Sequence, residues 1–202
     1  MAMTPRERWL ALLNGEKPDR IPTDYWATEE VTKRLLKDLK CNDIEELYDK
    51  LHIDGVHLID AKRTITHHPD DLEANIWGLR SEKVAHGTGS PLHPAEPEAD
   101  GRPCPQPRHP HLLPHRRRCP GMEREGLVRD FGDKIGFHGA VDNQQTLPFG
   151  SVDDVRNEVL DNIRIFAPPA RWICAPCHNI QAVSPTENIV AMYETIRENG
   201  KL

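Results

Sequence analysis

No apolar run in this 202-residue chain approaches membrane-spanning length, which excludes a helical membrane span. The opening Met1-Ala2-Met3-Thr4-Pro5-Arg6-Glu7-Arg8 has no apolar core of the kind an export signal needs, so the expectation is a cytoplasmic protein. Cysteine is scarce and odd in number: five thiols at irregular spacing do not build a disulfide framework, which fits a reducing compartment. Basic charge is short as well, and a net charge of −6 argues against a general nucleic-acid binder. Aliphatic residues nearly vanish between about Glu82 and Cys119, where proline, arginine and histidine take over. Half of the 18 prolines fall between Pro91 and Pro120. Such a stretch cannot bury enough apolar surface to offset the entropy of ordering it, so residues 82–120 are expected to be disordered. Its Cys104, His109, His111, His115 and Cys119 look like a zinc set, but their spacing matches no common finger and the bias alone would generate them.

On either side, residues 1–81 and 121–202 carry the signals of folded structure. Thr4, Pro5 and Glu7 form a capping-box start for a helix with Trp9, Leu12 and Leu13 as its apolar face and Gly15 as its stop. A second helix is predicted from Glu29 to Lys40. A third opens at Asn42, with Glu45 in capping register and Ile44, Leu47, Tyr48 and Leu51 along one stripe. Gly55 to Asp60 reads as a buried strand ending in a carboxylate. Beyond the proline-rich stretch, Ile135 to Gly139 reads as a strand. Ser151 and Asp154 open a helix striped by Val152, Val155, Val159, Ile163 and Phe166. Trp172-Ile173-Cys174 is the next strand, and Ser184, Pro185 and Glu187 open a last helix that Asn199-Gly200 ends. Two successive strand–helix units imply parallel strands and an α/β fold.

Cys174-Ala175-Pro176-Cys177-His178 admits two readings. Literally, CxxCH is the attachment pattern of a c-type haem. In context, the five residues end a strand and place His178 in the loop that follows, where active-site residues sit in parallel α/β barrels. The missing export signal favours the second reading.

The opening Met3 to Arg8 with Asp19-Arg20-Ile21-Pro22, the strand Phe137-His138-Gly139-Ala140-Val141-Asp142, and the run from Cys174 to Glu194 together resemble the two ends of a uroporphyrinogen decarboxylase family protein. The resemblance covers about residues 3–81 and 121–200 and fails between them. Such proteins are (β/α)8 barrels, so it implies an incomplete TIM-barrel-like fold that keeps the first and last βα units around a disordered central insert. Out-of-frame reading of a GC-rich gene would account for the Pro/Arg/His-rich middle. Pro168-Pro169-Ala170-Arg171 also departs from the glycine-rich turn usual in relatives.

The resemblance implies a carboxy-lyase that needs no cofactor and decarboxylates the acetate side chains of a tetrapyrrole, with a homodimer as the candidate assembly. It matches His178 to the family's active-site histidine and Asp60 to its substrate aspartate, although the spacing from Asp54 is one residue short. The family's Arg-Gln-Ala-Gly-Arg clamp has no counterpart, since Ile21 to Trp26 contains no arginine. Two alternatives accompany this reading. One is the family's zinc-dependent methyltransferase branch, with a corrinoid protein as partner and Cys174, Cys177 and His178 as the available ligands. The other is an inactive remnant.

Overall fold

In the computed structural model, residues 2–55, 69–70, 81–83, 88–91, 122–167 and 171–202 are described. Helix α1 (Pro5–Leu13) starts as its sequence dictates: the Glu7 amide donates to Thr4 Oγ1 at 3.3 Å, and Glu7 Oε2 accepts from the Thr4 amide at 2.8 Å. Its buried face differs from the expected one. Arg8, Ala11 and Leu12 point inward, whereas Leu13 is 58% exposed. Arg8 turns inward because two carboxylates receive it. Helix α2 (Glu29–Leu39) is capped by Thr28 and ends on Lys40 in a left-handed conformation. Helix α3 (Ile44–Leu51) is capped by Asp43 and not by Asn42. The Asp43 carboxylate accepts from the Glu46 amide at 2.9 Å, and Glu46, one residue beyond the expected Glu45, reaches back to the Asn42 amide.

The chain divides into two units, one of Met1–Val56 with Pro107–Leu202 and one of His57–Gln106. In the second unit, β1 (Ser81–Lys83) and β2 (Thr88–Pro91) pair antiparallel. The rest of the Pro-rich segment, including Cys104, His109, His111, His115 and Cys119, lies outside the described residues, as do Asp60 and the strand expected up to it beyond Gly55.

In the first unit, helix α4 (Arg124–Phe131) leads into β3 (Gly136–Val141). A short helix α5 (Thr146–Phe149) and the long helix α6 (Val152–Phe166) then cross over to β4 (Arg171–Pro176), and helix α7 (Thr186–Asn199) follows. β3 and β4 pair parallel in unbroken register from Gly136 with Arg171 to Val141 with Pro176, which establishes mixed α/β structure with a small parallel sheet. Ser151 and Asp154 make the expected capping box of α6. At α7 the expected box is absent: Pro185 is the cap, and the Ser184 hydroxyl is buried without a partner among the described residues. The Ser184 carbonyl instead accepts from Arg34 of α2, as does that of Ala182, so α2 fastens the loop before α7.

Most of the core is the helix-covered side of β3 and β4. Phe137, Phe166 and Trp172 form a ring stack there, with Val155, Val159, Ile189, Met192 and Ile196 around it. Around Asp54 sits a charged cluster. Asp54, 1% exposed, accepts from Arg8, from both Nη atoms of Arg20 at 2.7 and 2.9 Å, and from the Thr23 amide at 3.0 Å. Asp19 accepts from Arg8 Nε at 2.7 Å, and that bond holds its carboxyl down at about 2. Because the folded value lies below the ordinary one, Asp19 stabilises the fold above about pH 4. That contribution fades as pH falls towards the folded value. Urea midpoints at pH 3 and pH 7 should therefore differ less in Asp19→Asn than in the unmodified chain.

Candidate functional site

The site is built where the N-terminal segment lies along β4. The Cys174 amide donates to the Pro22 carbonyl at 2.9 Å and the Asp24 amide to the Cys174 carbonyl at 3.0 Å, a parallel bridge between Thr23 and Cys174. One turn further, Ala27 bridges Ile180, with the Ile180 amide on the Trp26 carbonyl and the Thr28 amide on the Ile180 carbonyl. The two ends of the chain thus share one unit, and β4 has a further parallel partner beside β3. Pro22 to Asp24 takes that place, because the carbonyl of Pro22 and the amide of Asp24 satisfy both sides of Cys174. Ile53 and Asp54 lie one position further out, with the Asp54 amide on the Thr23 carbonyl at 3.1 Å.

Side chains alternate across a strand, and the alternation divides the candidate residues. Trp172 and Cys174 face the helices. Cys174 is fully buried, and burial together with nearby Glu158 pushes its thiol far above its ordinary value. His138, paired with Ile173 on the other face, meets Asp24 of the docked segment: Nε2 and Oδ2 are 2.8 Å apart. Both are buried, at 6% and 2% exposure. The second Asp24 oxygen accepts from the Tyr25 amide at 2.8 Å, and the Asp24 carbonyl accepts from the Tyr193 hydroxyl at 2.9 Å. Trp26 lies against the His138 ring with centroids 4.8 Å apart.

Beyond the strand ends, the two loops are stitched together by Asn143. Its Nδ2 donates to the Asn179 carbonyl at 3.1 Å, and its Oδ1 accepts from Cys177 Sγ at 2.9 Å. Burial also raises the Cys177 thiol. His178 is exposed on the loop after β4, at the C-terminal edge of the parallel pair, as the strand–loop–helix reading expects.

Cys174, Cys177 and His178 do not make a metal site. Among the described residues no group of three His, Cys, Asp or Glu side chains could hold a metal ion. The same buried Cys174 leaves the literal haem-attachment pattern without two accessible thiols. Asp60 lies outside the described residues.

Asp24 and His138 were not nominated by sequence, although His138 is an ionisable residue inside a strand-like run, a position such groups occupy mainly when paired. Among the described residues no helix is long and apolar enough to cross a membrane. The backbone within β3 contributes to the arrangement. Gly139 has φ +103°, a conformation that suits glycine, and a β-carbon there would stand 3.4 Å from the Cys177 Cα.

No curated protein matches the chain. Residues 120–199 match the family described as uroporphyrinogen decarboxylase (URO-D), a segment that holds β3, α6, β4, α7, His138 and His178, and it is this segment of the chain that is similar to the family.

Proposed function

We propose that the chain is a carboxy-lyase of the URO-D type that acts on a carboxylated tetrapyrrole without a cofactor, and that it turns over slowly. The observation that carries this reading is the position of His178, exposed beyond the C-terminal edge of the parallel strands inside the family-matched segment. There an imidazole can hold a substrate carboxylate or supply a proton. Asp60 is the proposed carboxylate that stabilises the protonated pyrrole while carbon dioxide leaves. The first unit would then correspond to the first and last βα units of an incomplete (β/α)8 barrel. Slow turnover follows from substrate grip: Ile21 to Trp26 offers no arginine, and the neighbouring Arg20 is already held by Asp54.

The test is anaerobic incubation of the full chain with uroporphyrinogen and quantification of the hepta- to tetracarboxylate products. Product should accumulate with time, and His178→Ala should lower the rate by about 10²-fold, the scale of one acid–base group. No product would overturn the decarboxylase reading in favour of the remnant. Methyl transfer to a thiol with stoichiometric zinc would overturn it in favour of the methyltransferase branch.

A further inference from the structure

We propose that Asp24 and His138 form a proton-handling pair, with Asp24 as the positioning residue and His138 as the proton donor to the carbon that loses carbon dioxide. The inference rests on the decarboxylase reading and adds to it two residues that the family resemblance did not nominate.

The argument starts from the cost of burial. A carboxylate at 2% exposure and an imidazole at 6% do not persist in an apolar sheet unless each satisfies the other. They come from segments 114 residues apart and meet at 2.8 Å. The carboxylate is fixed by contacts other than the histidine: its other oxygen holds the Tyr25 amide, and its own main chain is bound to Cys174 on one side and Tyr193 on the other. An ionised carboxylate only accepts, so Asp24 draws the Nε2–H of His138 towards itself. Nδ1 is thereby left as the nitrogen that exchanges a proton, and no described side chain bonds it. Trp26 against the ring restricts its rotation. A histidine held in one tautomer and one orientation by a buried carboxylate is poised for proton transfer.

The step balances. The bond between the acetate methylene and its carboxylate breaks, carbon dioxide leaves, and the electron pair moves into the protonated pyrrole. The exocyclic carbon then takes the proton from His138 Nδ1, the ring gives up its extra proton, and solvent reprotonates the imidazole. One proton enters for each carbon dioxide released.

Two measurements on the full chain test the pair. Nitrogen-15 NMR of the imidazoles, recorded above their titration range, should show His138 as the single Nε2–H tautomer. Asp24→Asn should lower kcat by about 10²-fold while KM moves less than two-fold, because the variant keeps the shape and removes the charge. His138→Gln, which retains a polar side chain of similar reach, should do the same. An Nδ1–H tautomer would overturn the proposal, and so would wild-type kcat in either variant. If the unmodified chain turns over no tetrapyrrole, the decarboxylase reading and the donor role of His138 fall together. The Asp24-imposed tautomer is judged separately, upheld by Nε2–H and overturned by Nδ1–H.

Discussion

Replacing Asp54 with alanine is expected to destabilise the first unit by about 3–5 kcal/mol, the scale found when one partner of a buried ion pair is removed. The carboxylate is 1% exposed and takes hydrogen bonds from Arg8, from both ends of the Arg20 fork and from the Thr23 amide. Its loss leaves two guanidinium groups facing one another. Arg8, with 5% of its side chain exposed, keeps its two bonds to Asp19, whereas Arg20 loses the carboxylate it is paired with and, at 20% exposure, recovers only part of its hydration. The damage also reaches the site, because the Asp54 amide holds the Thr23 carbonyl and Thr23 is the residue that bridges Cys174. Urea unfolding followed by tryptophan fluorescence measures the loss. A change below about 1 kcal/mol would show that the cluster is solvated in solution and contributes no more than a surface pair does.

The sequence was most legible where the chemistry is local. Thr4 with Glu7 and Ser151 with Asp154 announce their helices because both partners lie within one turn, and the structure forms both boxes. The same logic went astray by one residue at α3, where Asp43 and not Asn42 takes the cap and accepts from the Glu46 amide, while Glu46 holds the Asn42 amide and side chain. It failed at Ser184, where Arg34 from a helix 150 residues away holds the main chain and no spacing rule could show it. Strands β3 and β4 were visible as apolar runs. The docked strand was not, because Pro22 reads as a break, yet only its carbonyl is needed there and Cys174 supplies the donor. Arg8 and Leu13 exchanged places for a related reason: helical periodicity sees apolarity, and the inward turn of Arg8 is decided by Asp19 and Asp54. The Asp24–His138 pair is the extreme case, since neither residue belongs to a motif and their meaning exists only once the segments meet.

The second large effect is expected at Trp172. Truncation to alanine should cost about 3–5 kcal/mol, as for other buried aromatic side chains. The indole is 1% exposed and stacks on Phe166 with centroids 5.5 Å apart, and Phe166 lies 5.3 Å from Phe137. The three rings therefore join both strands to α6, and a cavity at their end cannot collapse without moving the sheet. The indole also donates from Nε1 to the Gly139 carbonyl at 3.2 Å. That carbonyl belongs to the residue after His138, at the point where β3 turns through φ +103°. Trp172→Phe separates the two contributions, since it keeps a ring in the stack and removes the donor. It should cost clearly less than Trp172→Ala in urea unfolding, yet still loosen the kink beside His138. Equal losses in the two variants would mean that the hydrogen bond to Gly139, and not the ring stack, holds β3 and β4 together.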